Sequence, residues 1–310
     1  MKCVFAGTPE AAVPTLRALI DAGHEVSAVL TRPPSRQGRG RRTRMSPVHV
    51  AADELGLDVL TPRTLRDPDV AAQIRSIEAD VVVVVAYGLL VPADLLEAFR
   101  HGWINLHFSL LPRWRGAAPV QRAIIEGDTM TGVTVFHIEA GLDTGPIYAQ
   151  HPYPLMPDAT TASLLERLAH HGADVMCHVL DALNNGTAIA RPQSSDGVTY
   201  AHMITGEDGH LNFAADAQSL LRRVRALGEE PGCWAMIGQT RLKIYRLSIL
   251  PTCDLEPGVI RVTKKEVSVG TATNDMLLAE VAAPGKRAMA GADWARGAHL
   301  GEAARFEVRP

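Results

Sequence analysis

Length, composition and charge exclude several classes of protein. The chain has 310 residues, of which 46% are hydrophobic, and a formal net charge of −3. This length favours two domains with sizeable cores, and the slightly acidic balance excludes a uniformly basic nucleic-acid coat. The four cysteines form no C-x-x-C pair, and the sequence contains neither a signal-peptide pattern nor eighteen successive apolar residues. We therefore expect a cytoplasmic protein without a cysteine-based metal site.

Strand and helix patterns alternate through the first half of the chain. Strands are predicted at residues 2–6, 25–30, 80–86, 103–107 and 132–138, and helices at residues 11–22, 48–55 and 162–183. The five consecutive valines at residues 81–85 are typical of a strand buried on both faces of a parallel sheet. This alternation predicts a doubly wound, mainly parallel α/β domain with its ligand crevice at the carboxyl ends of the strands.

The pattern changes near residue 190. Turn-forming residues follow the helix at 162–183, and a helix at 215–226 then precedes short strands at 241–250, 258–262, 266–269 and 276–281. We predict a catalytic domain over residues 1–188, a linker over 189–206 and a small C-terminal β-barrel, of the OB-like kind, over 207–310.

Three polar residues are candidates for catalysis. Asn105 and His107 are two positions apart at a predicted strand end, so both side chains point to the same face of the sheet. Alone, such a pair is more often a satisfied core histidine beside a turn asparagine. Asp143 lies in a glycine-rich loop after another predicted strand, from which its carboxylate could reach the same crevice and orient the imidazole.

The motifs around these residues resemble those of the folate-dependent formyltransferases. They are F-A-G-T-P at 5–9, V-V-V-A-Y-G at 83–88, N-x-H-x-S-L-L-P at 105–112, W-R-G-A-A-P at 114–119 and G-L-D-T-G at 141–145. They occur in the family's order, and the fourth motif, together with a long basic loop, is similar to the branch that acts on tRNA. The resemblance implies a Rossmann-like formyltransferase domain, followed by a β-barrel domain that contacts tRNA.

The resemblance also implies a reaction. The formyl group of 10-formyltetrahydrofolate, a cosubstrate, would pass to the α-amino group of methionyl initiator tRNA, with no metal, no obligate protein partner and a monomeric enzyme. Asn105 and a protonated His107 would stabilise the oxyanion, while Asp143 would accept the amine's proton through water. The residues that would line the folate pocket are Ala86, Tyr87, Gly88, Leu89, Leu90, Ser109, Leu110, Leu111 and Pro112.

A basic loop at residues 31–47 is the second informative feature. It carries six arginines and no acidic residue, with two glycines among them. Such a concentration in a net-acidic chain indicates a phosphate partner, although a solvated loop in an arginine-rich sequence would look similar. We expect tRNA contacts from Arg36, Arg39, Arg41 and Arg42, and in the family this loop reaches the acceptor arm.

Three other functions fit parts of the sequence. A nicotinamide-dependent oxidoreductase would explain the parallel sheet, but G-T-P-E at residues 7–10 replaces the G-x-G-x-x-G fingerprint. A formyltransferase acting on an aminosugar or a purine precursor would share the chemistry, although a purine-pathway enzyme would lack the C-terminal barrel. An RNA-binding module that uses the barrel alone would leave Asn105, His107 and Asp143 unexplained.

Overall fold

The chain forms two compact units in a computed structural model, which describes residues 1–37, 42–301 and 304–308. The first unit comprises Met1–Pro119, Met130–Pro154 and Leu164–Ala201, and the second comprises Val120–Thr129, Leu155–Ser163 and His202–Pro310. Two short stretches from the middle of the chain thus group with the C-terminal region. The domain boundaries at residues 188 and 207 remain our proposal.

A seven-stranded sheet is the centre of the first unit. In chain order, the strands of this unit are β1 (Lys2–Gly7), β2 (Glu25–Leu30), β3 (Ser35–Gln37), β4 (Arg42–Arg44), β5 (Val59–Leu60), β6 (Val81–Val85), β7 (Trp103–His107), β8 (Arg115–Gly116), β9 (Met130–His137), β10 (Ile147–Pro154) and β11 (Tyr200–Ala201). The sheet order is β10-β9-β7-β6-β1-β2-β5. The strands from β7 to β5 are parallel, and β9 and β10 add an antiparallel edge. The predicted mainly parallel α/β sheet is confirmed.

The helices are α1 (Val13–Asp21), α2 (Pro47–Glu54), α3 (Pro68–Arg75), α4 (Ala93–Leu96), α5 (Pro119–Glu126), α6 (Thr161–Asn184), α7 (Ala217–Leu227) and α8 (Gly291–Ala298). Local sequence explains several of their beginnings. The Ser46 hydroxyl accepts a hydrogen bond from the His49 amide at the start of α2, and the Asp67 carboxylate caps α3 in the same way. A proline follows each cap at a position where no amide donor is lost.

Apolar burial fixes the middle of the sheet. All five valines of β6 are buried, as their uninterrupted run predicts for a central strand. On the neighbouring strand β7, Leu106 packs against α6 at Gly172, where an added Cβ would lie 2.8 Å from the leucine side chain. A glycine at this helix position therefore allows α6 to lie close to the strand that carries Asn105 and His107.

The second unit is built on an antiparallel sheet. Its strands are β12 (Cys233–Ile237), β13 (Thr240–Ile249), β14 (Ile260–Val262), β15 (Val267–Val269), β16 (Met276–Ala282) and β17 (Met289–Ala290). They pair in the order β12-β13-β16-β15-β14, and β17 pairs with Glu280 and Val281 of β16. Helices α7 and α8 belong to this unit. The predicted C-terminal β domain of the OB-like class is confirmed.

Two segments differ from the expected loops. The basic stretch at residues 31–47 contains the antiparallel pair β3 and β4. In the stretch predicted as a linker, Arg191 bridges to Ile147, and β11 pairs in parallel with β8. Both pairings join segments whose sequences carry no strand pattern, so backbone partners rather than local propensity determine them.

Candidate active site

The end of β7 forms one wall of a cavity of about 540 Å³. Asn105 and His107 both line this cavity, whereas Ile104 is fully buried. The strand lies between β6 and β9, whose ladders hold Asn105 opposite Val84 and Phe136. Backbone pairing therefore fixes the direction of both polar side chains, from both sides at Asn105 and from β9 at His107. We call Asn105 and His107 the strand wall.

His107 faces an oxygen atom at each ring nitrogen. Its Nε2 lies 2.8 Å from the carbonyl oxygen of Trp114, and its Nδ1 lies 3.8 Å from Oδ2 of Asp143. A carbonyl oxygen can only accept a hydrogen bond, so Nε2 carries a proton and donates. Nδ1 is consequently the nitrogen that faces the Asp143 carboxylate and is available to a reacting group. The ring is buried and meets Phe136 edge to face at 6.4 Å between centroids.

Asp143 reaches His107 by way of a loop. Because β9 is antiparallel to β7, its last residue His137 pairs with Ile104 at the other end of β7. The following residues return toward His107, and the His137 amide donates to the carbonyl of Pro146 at 2.9 Å to close the base of this loop. We call residues 138–146 the loop wall. The structure thus brings Asp143 and His107 together. The two residues do not follow the ends of neighbouring parallel strands, because β9 runs antiparallel to β7.

The loop wall has an unusual backbone. Asp143 has φ of 51°, in the left-handed region that non-glycine residues seldom adopt. Its Oδ2 accepts a hydrogen bond of 2.7 Å from the Gly116 amide. Near the base of the loop, an added Cβ at Gly145 would clash with the carbonyl of His137, so only glycine fits.

Five predicted folate residues also line the cavity. They are Ala86, Tyr87, Gly88, Leu89 and Leu90. Two hydrogen bonds hold the backbone here: the Thr8 hydroxyl donates to the Tyr87 carbonyl at 2.8 Å, and an Arg32 Nη donates to the Gly88 carbonyl at 2.9 Å. Leu90 is 70% exposed, so it offers apolar surface at the cavity mouth. Phe108, which we did not assign to the pocket, lines it as well.

The other four predicted folate residues lie elsewhere. Ser109 is buried and donates to the Arg113 carbonyl at 2.7 Å, and the Leu111 amide donates to the Thr134 hydroxyl at 3.1 Å. Leu111 and Pro112 line a separate cavity of about 600 Å³. Leu110 packs beside Gly132. These four residues therefore do not share the cavity of Asn105, His107 and Asp143 in this structure.

Two residues of the predicted linker hydrogen-bond segments that form the cavity or adjoin it. The side chain of Gln193 hydrogen-bonds the carbonyls of Asp143 and Gly145, and it also receives two hydrogen bonds from Arg115. The Thr199 hydroxyl accepts from the Trp114 amide at 2.9 Å. The sequence placed Trp114 and Arg115 in a family motif, but no local pattern indicated Gln193 or Thr199, because their partners are far away along the chain.

The predicted tRNA-binding arginines lie on the β3 and β4 pair or beyond the described residues. Arg36 belongs to β3 and Arg42 to β4. Arg39 and Arg41 lie outside the described residues. The basic loop follows β2, which lies beside β1 in the sheet. β1 leads into Thr8, whose hydroxyl donates to the Tyr87 carbonyl at the cavity. Arg36 and Arg42 therefore belong to the same unit as the cavity.

Two further observations concern the chemistry of the chain. Burial raises the pKa of the Cys3 thiol to about 12 and that of Cys233 to about 12, which disfavours a thiolate nucleophile at either position. Within residues 1–37, 42–301 and 304–308, no group of three or more His, Cys, Asp or Glu side chains could hold a metal ion. None of the described helices combines the length and apolar character needed to cross a membrane.

Family models match both units. Residues 1–180 match the model described as formyl transferase, and residues 203–299 match the model for the formyl transferase C-terminal domain. The chain belongs to the formyl transferase family. A formyl transferase of this family from Acidothermus cellulolyticus, named methionyl-tRNA formyltransferase, is 47% identical over 324 residues, which cover 99% of this chain and all of that one.

Solved structures share the formyl transferase fold at low identity. A sugar 3N-formyl transferase, determined in the presence of dTDP and 5-N-formyl-THF, has a TM-score of 0.68 at 18% identity and covers 93% of this chain and 99% of that chain. Glycinamide ribonucleotide transformylase 1 from Symbiobacterium toebii has a TM-score of 0.52 at 22% identity and covers 63% of this chain and 94% of that chain. Enzymes that act on different amines thus share this architecture.

Proposed function

We propose that this chain transfers the formyl group of 10-formyltetrahydrofolate to the free α-amino group of methionyl initiator tRNA. The observation that carries the proposal is the 47% identity, over essentially both full lengths, to a relative named for this activity. The cavity supplies a chemical rationale, because an amide, an imidazole and a carboxylate converge on one space. A tRNA substrate also agrees with the cytoplasmic location expected from the sequence.

Asn105 is the first candidate for stabilising the transition state. Attack of the amine on the formyl carbon gives a tetrahedral intermediate with a negative oxygen. Among the residues that the structure describes, none hydrogen-bonds the Asn105 side-chain amide, which lines the cavity. This amide can therefore donate to the developing oxyanion. One such donor typically stabilises the transition state by about 3–4 kcal/mol.

His107 would act through Nδ1. The Trp114 carbonyl retains the proton on Nε2, so the imidazole cannot present that nitrogen as a base. When His107 is protonated, Nδ1 donates toward the oxyanion, and when it is neutral, Nδ1 can accept a proton. The separation of 3.8 Å between Nδ1 and Oδ2 of Asp143 exceeds a hydrogen bond. We propose that a reacting atom or a water molecule contacts both groups from the cavity side.

Asp143 would handle the proton of the attacking amine. Its Oδ2 already accepts from the Gly116 amide, which orients the carboxylate toward His107. The amine becomes cationic when it attacks, and a carboxylate at this position both stabilises that charge and receives the proton through water. The bond between the formyl carbon and N10 of the folate then breaks, N10 takes up a proton, and tetrahydrofolate leaves. These steps need neither a covalent enzyme intermediate nor a metal ion. The folate would lie along residues 86–90 and the apolar residues Ile138, Ala140 and Leu142 of the loop wall, all of which line the cavity.

The basic loop and the second unit would hold the tRNA. Six arginines lie within residues 31–47 and could contact phosphates. One of them, Arg32, donates to the Gly88 carbonyl at the cavity. A second RNA-contacting surface on the C-terminal unit would raise the effective concentration of the acceptor end. The tRNA, rather than the chemistry of the cavity, would then distinguish this enzyme from formyl transferases that act on small amines.

A direct transfer assay tests the acceptor. Labelled formyl from 10-formyltetrahydrofolate is offered with charged initiator tRNA, charged elongator tRNA, an aminosugar nucleotide and glycinamide ribonucleotide, each at matched concentration. We expect methionyl initiator tRNA to give the highest kcat/KM and to exceed the aminosugar nucleotide and glycinamide ribonucleotide by at least about 100-fold, because only a tRNA engages both RNA-contacting surfaces. Faster formylation of the aminosugar nucleotide would contradict the acceptor while leaving the formyl chemistry intact.

A further inference from the structure

The side-chain amide of Gln193 makes four hydrogen bonds, two of them to the loop wall. Its Nε2 donates to the carbonyl of Asp143 at 2.7 Å and to the carbonyl of Gly145 at 2.9 Å. Its Oε1 accepts from Nε of Arg115 at 3.1 Å and from an Arg115 Nη at 2.7 Å. Both amide hydrogens and both oxygen lone pairs are therefore in use. Because Arg115 can only donate and carbonyls can only accept, the orientation of the amide is unambiguous.

The loop wall gains much of its order from these contacts. Gly141 and Leu142, just before Asp143, are exposed, so apolar burial does little to hold them. The left-handed φ of Asp143 costs free energy that surrounding contacts must offset. The two hydrogen bonds from Gln193 fix the backbone on both sides of Thr144, immediately after the carboxylate. They therefore set the direction in which the Asp143 side chain leaves the backbone.

Arg115 links this support to the rest of the cavity. It is buried, and its own amide donates to the Thr199 carbonyl at 2.9 Å. The amide of the next residue, Gly116, donates a hydrogen bond to Oδ2 of Asp143. Gln193 and Gly116 thus hold Asp143 from its backbone and from its carboxylate, and Arg115 connects the two contacts. A glutamine in the predicted linker closes this ring of interactions.

We propose that Gln193 is a positioning residue for formyl transfer, which sets the placement of the Asp143 carboxylate opposite Nδ1 of His107. The inference rests on the proposed function and adds a residue that acts from outside the cavity. Gln193 does not line that cavity. Its effect passes through Asp143, so its replacement changes turnover and leaves the chemistry in other parts of the cavity untouched.

The decisive variant is Gln193→Glu. A glutamate retains oxygens for the two Arg115 donors but turns two donated hydrogen bonds into repulsion between oxygens at Asp143 and Gly145. We expect kcat to fall about 30-fold to 100-fold, with the melting temperature close to that of wild type because the contact with Arg115 persists. Gln193→Ala, which removes all four hydrogen bonds, is the second variant and should show a similar loss. Ser195→Ala, an exposed change in the same segment, is the matched control.

A double-variant comparison separates positioning from a general structural role. In an Asp143→Asn background, Gln193→Glu should lower the remaining kcat by less than about threefold, because its target has already been lost. An equal loss in both backgrounds, or a Gln193→Glu enzyme with kcat within about twofold of wild type, would overturn the proposal. Near-normal turnover of Asp143→Asn with Gln193 intact would contradict the proposed function of Asp143 itself, and the inference would fall with it.

Discussion

The two walls of the cavity are held in different ways. The strand wall, with Asn105 and His107, belongs to β7, whose backbone pairing fixes Asn105 on both sides and His107 on the β9 side. The loop wall, with Asp143, depends on groups distant in the sequence, because the Gln193 side chain donates to its backbone and the Gly116 amide donates to the Asp143 carboxylate. Backbone pairing tolerates side-chain replacement, whereas side-chain support does not. Substitutions outside the cavity should therefore affect the loop wall more than the strand wall.

The largest effects should come from the cavity residues themselves, on either wall. We expect Asn105→Ala, His107→Ala and Asp143→Ala each to lower kcat by at least about 100-fold, because each removes a group that acts on the tetrahedral intermediate. Steady-state formyl transfer with saturating donor measures this. Combined replacements should cost less than the product of the single losses.

A surface histidine provides the control for these variants. His178 is exposed on α6, and His178→Ala should leave kcat unchanged. If one of the three alanine variants folds normally and turns over at near the wild-type rate, that residue has no catalytic role. Loss confined to Asp143→Ala would indicate that the strand wall only shapes the pocket.

The sequence predicted the strand wall better than the loop wall, for a physical reason. Asn105 and His107 follow from two-residue periodicity, and the valines of β6 from their unbroken run, since both patterns are local. The antiparallel direction of β9 could not be predicted, because strand direction depends on pairing partners far along the chain. Gln193 was placed in a featureless linker, since its role depends on partners 48 and 50 residues earlier in the chain.

A change in the basic loop should alter tRNA use alone. Replacing Arg39, Arg41 and Arg42 together by Ala should raise KM for tRNA about tenfold or more and reduce its dependence on salt concentration, because fewer counterions are released on binding. KM for the formyl donor should remain unchanged. Kinetics at several salt concentrations measure both effects.

The matched control for the basic loop removes the same charge elsewhere. Arg66, Arg75 and Arg100 are exposed residues of the same unit, and their combined replacement by Ala should have little effect on KM for tRNA. Equal losses in the two triple variants would indicate that net charge, and not the basic loop, governs tRNA binding.

The smallest expected effect tests whether the strand wall keeps its geometry without hydrogen bonds from distant side chains. Thr199→Val removes the hydroxyl that accepts from the Trp114 amide, next to the carbonyl that holds His107. We expect kcat to fall only about threefold to tenfold, less than for Gln193→Glu, because the β7 ladders still orient His107. Thr199→Ser, which keeps the hydroxyl, should match wild type. A loss as large as that of Gln193→Glu would show that both walls need distant support.

Gly172 has a consequence for protein engineering. Replacing a glycine within a helix by alanine is a standard way to raise thermal stability, by up to about 1 kcal/mol at a compatible position. Here the added methyl group would press on Leu106, whose backbone lies between Asn105 and His107 in β7. Gly172→Ala, chosen for helix propensity alone, would therefore press on the strand that carries two proposed catalytic side chains. Stabilising changes in α6 should be sought on its solvent side.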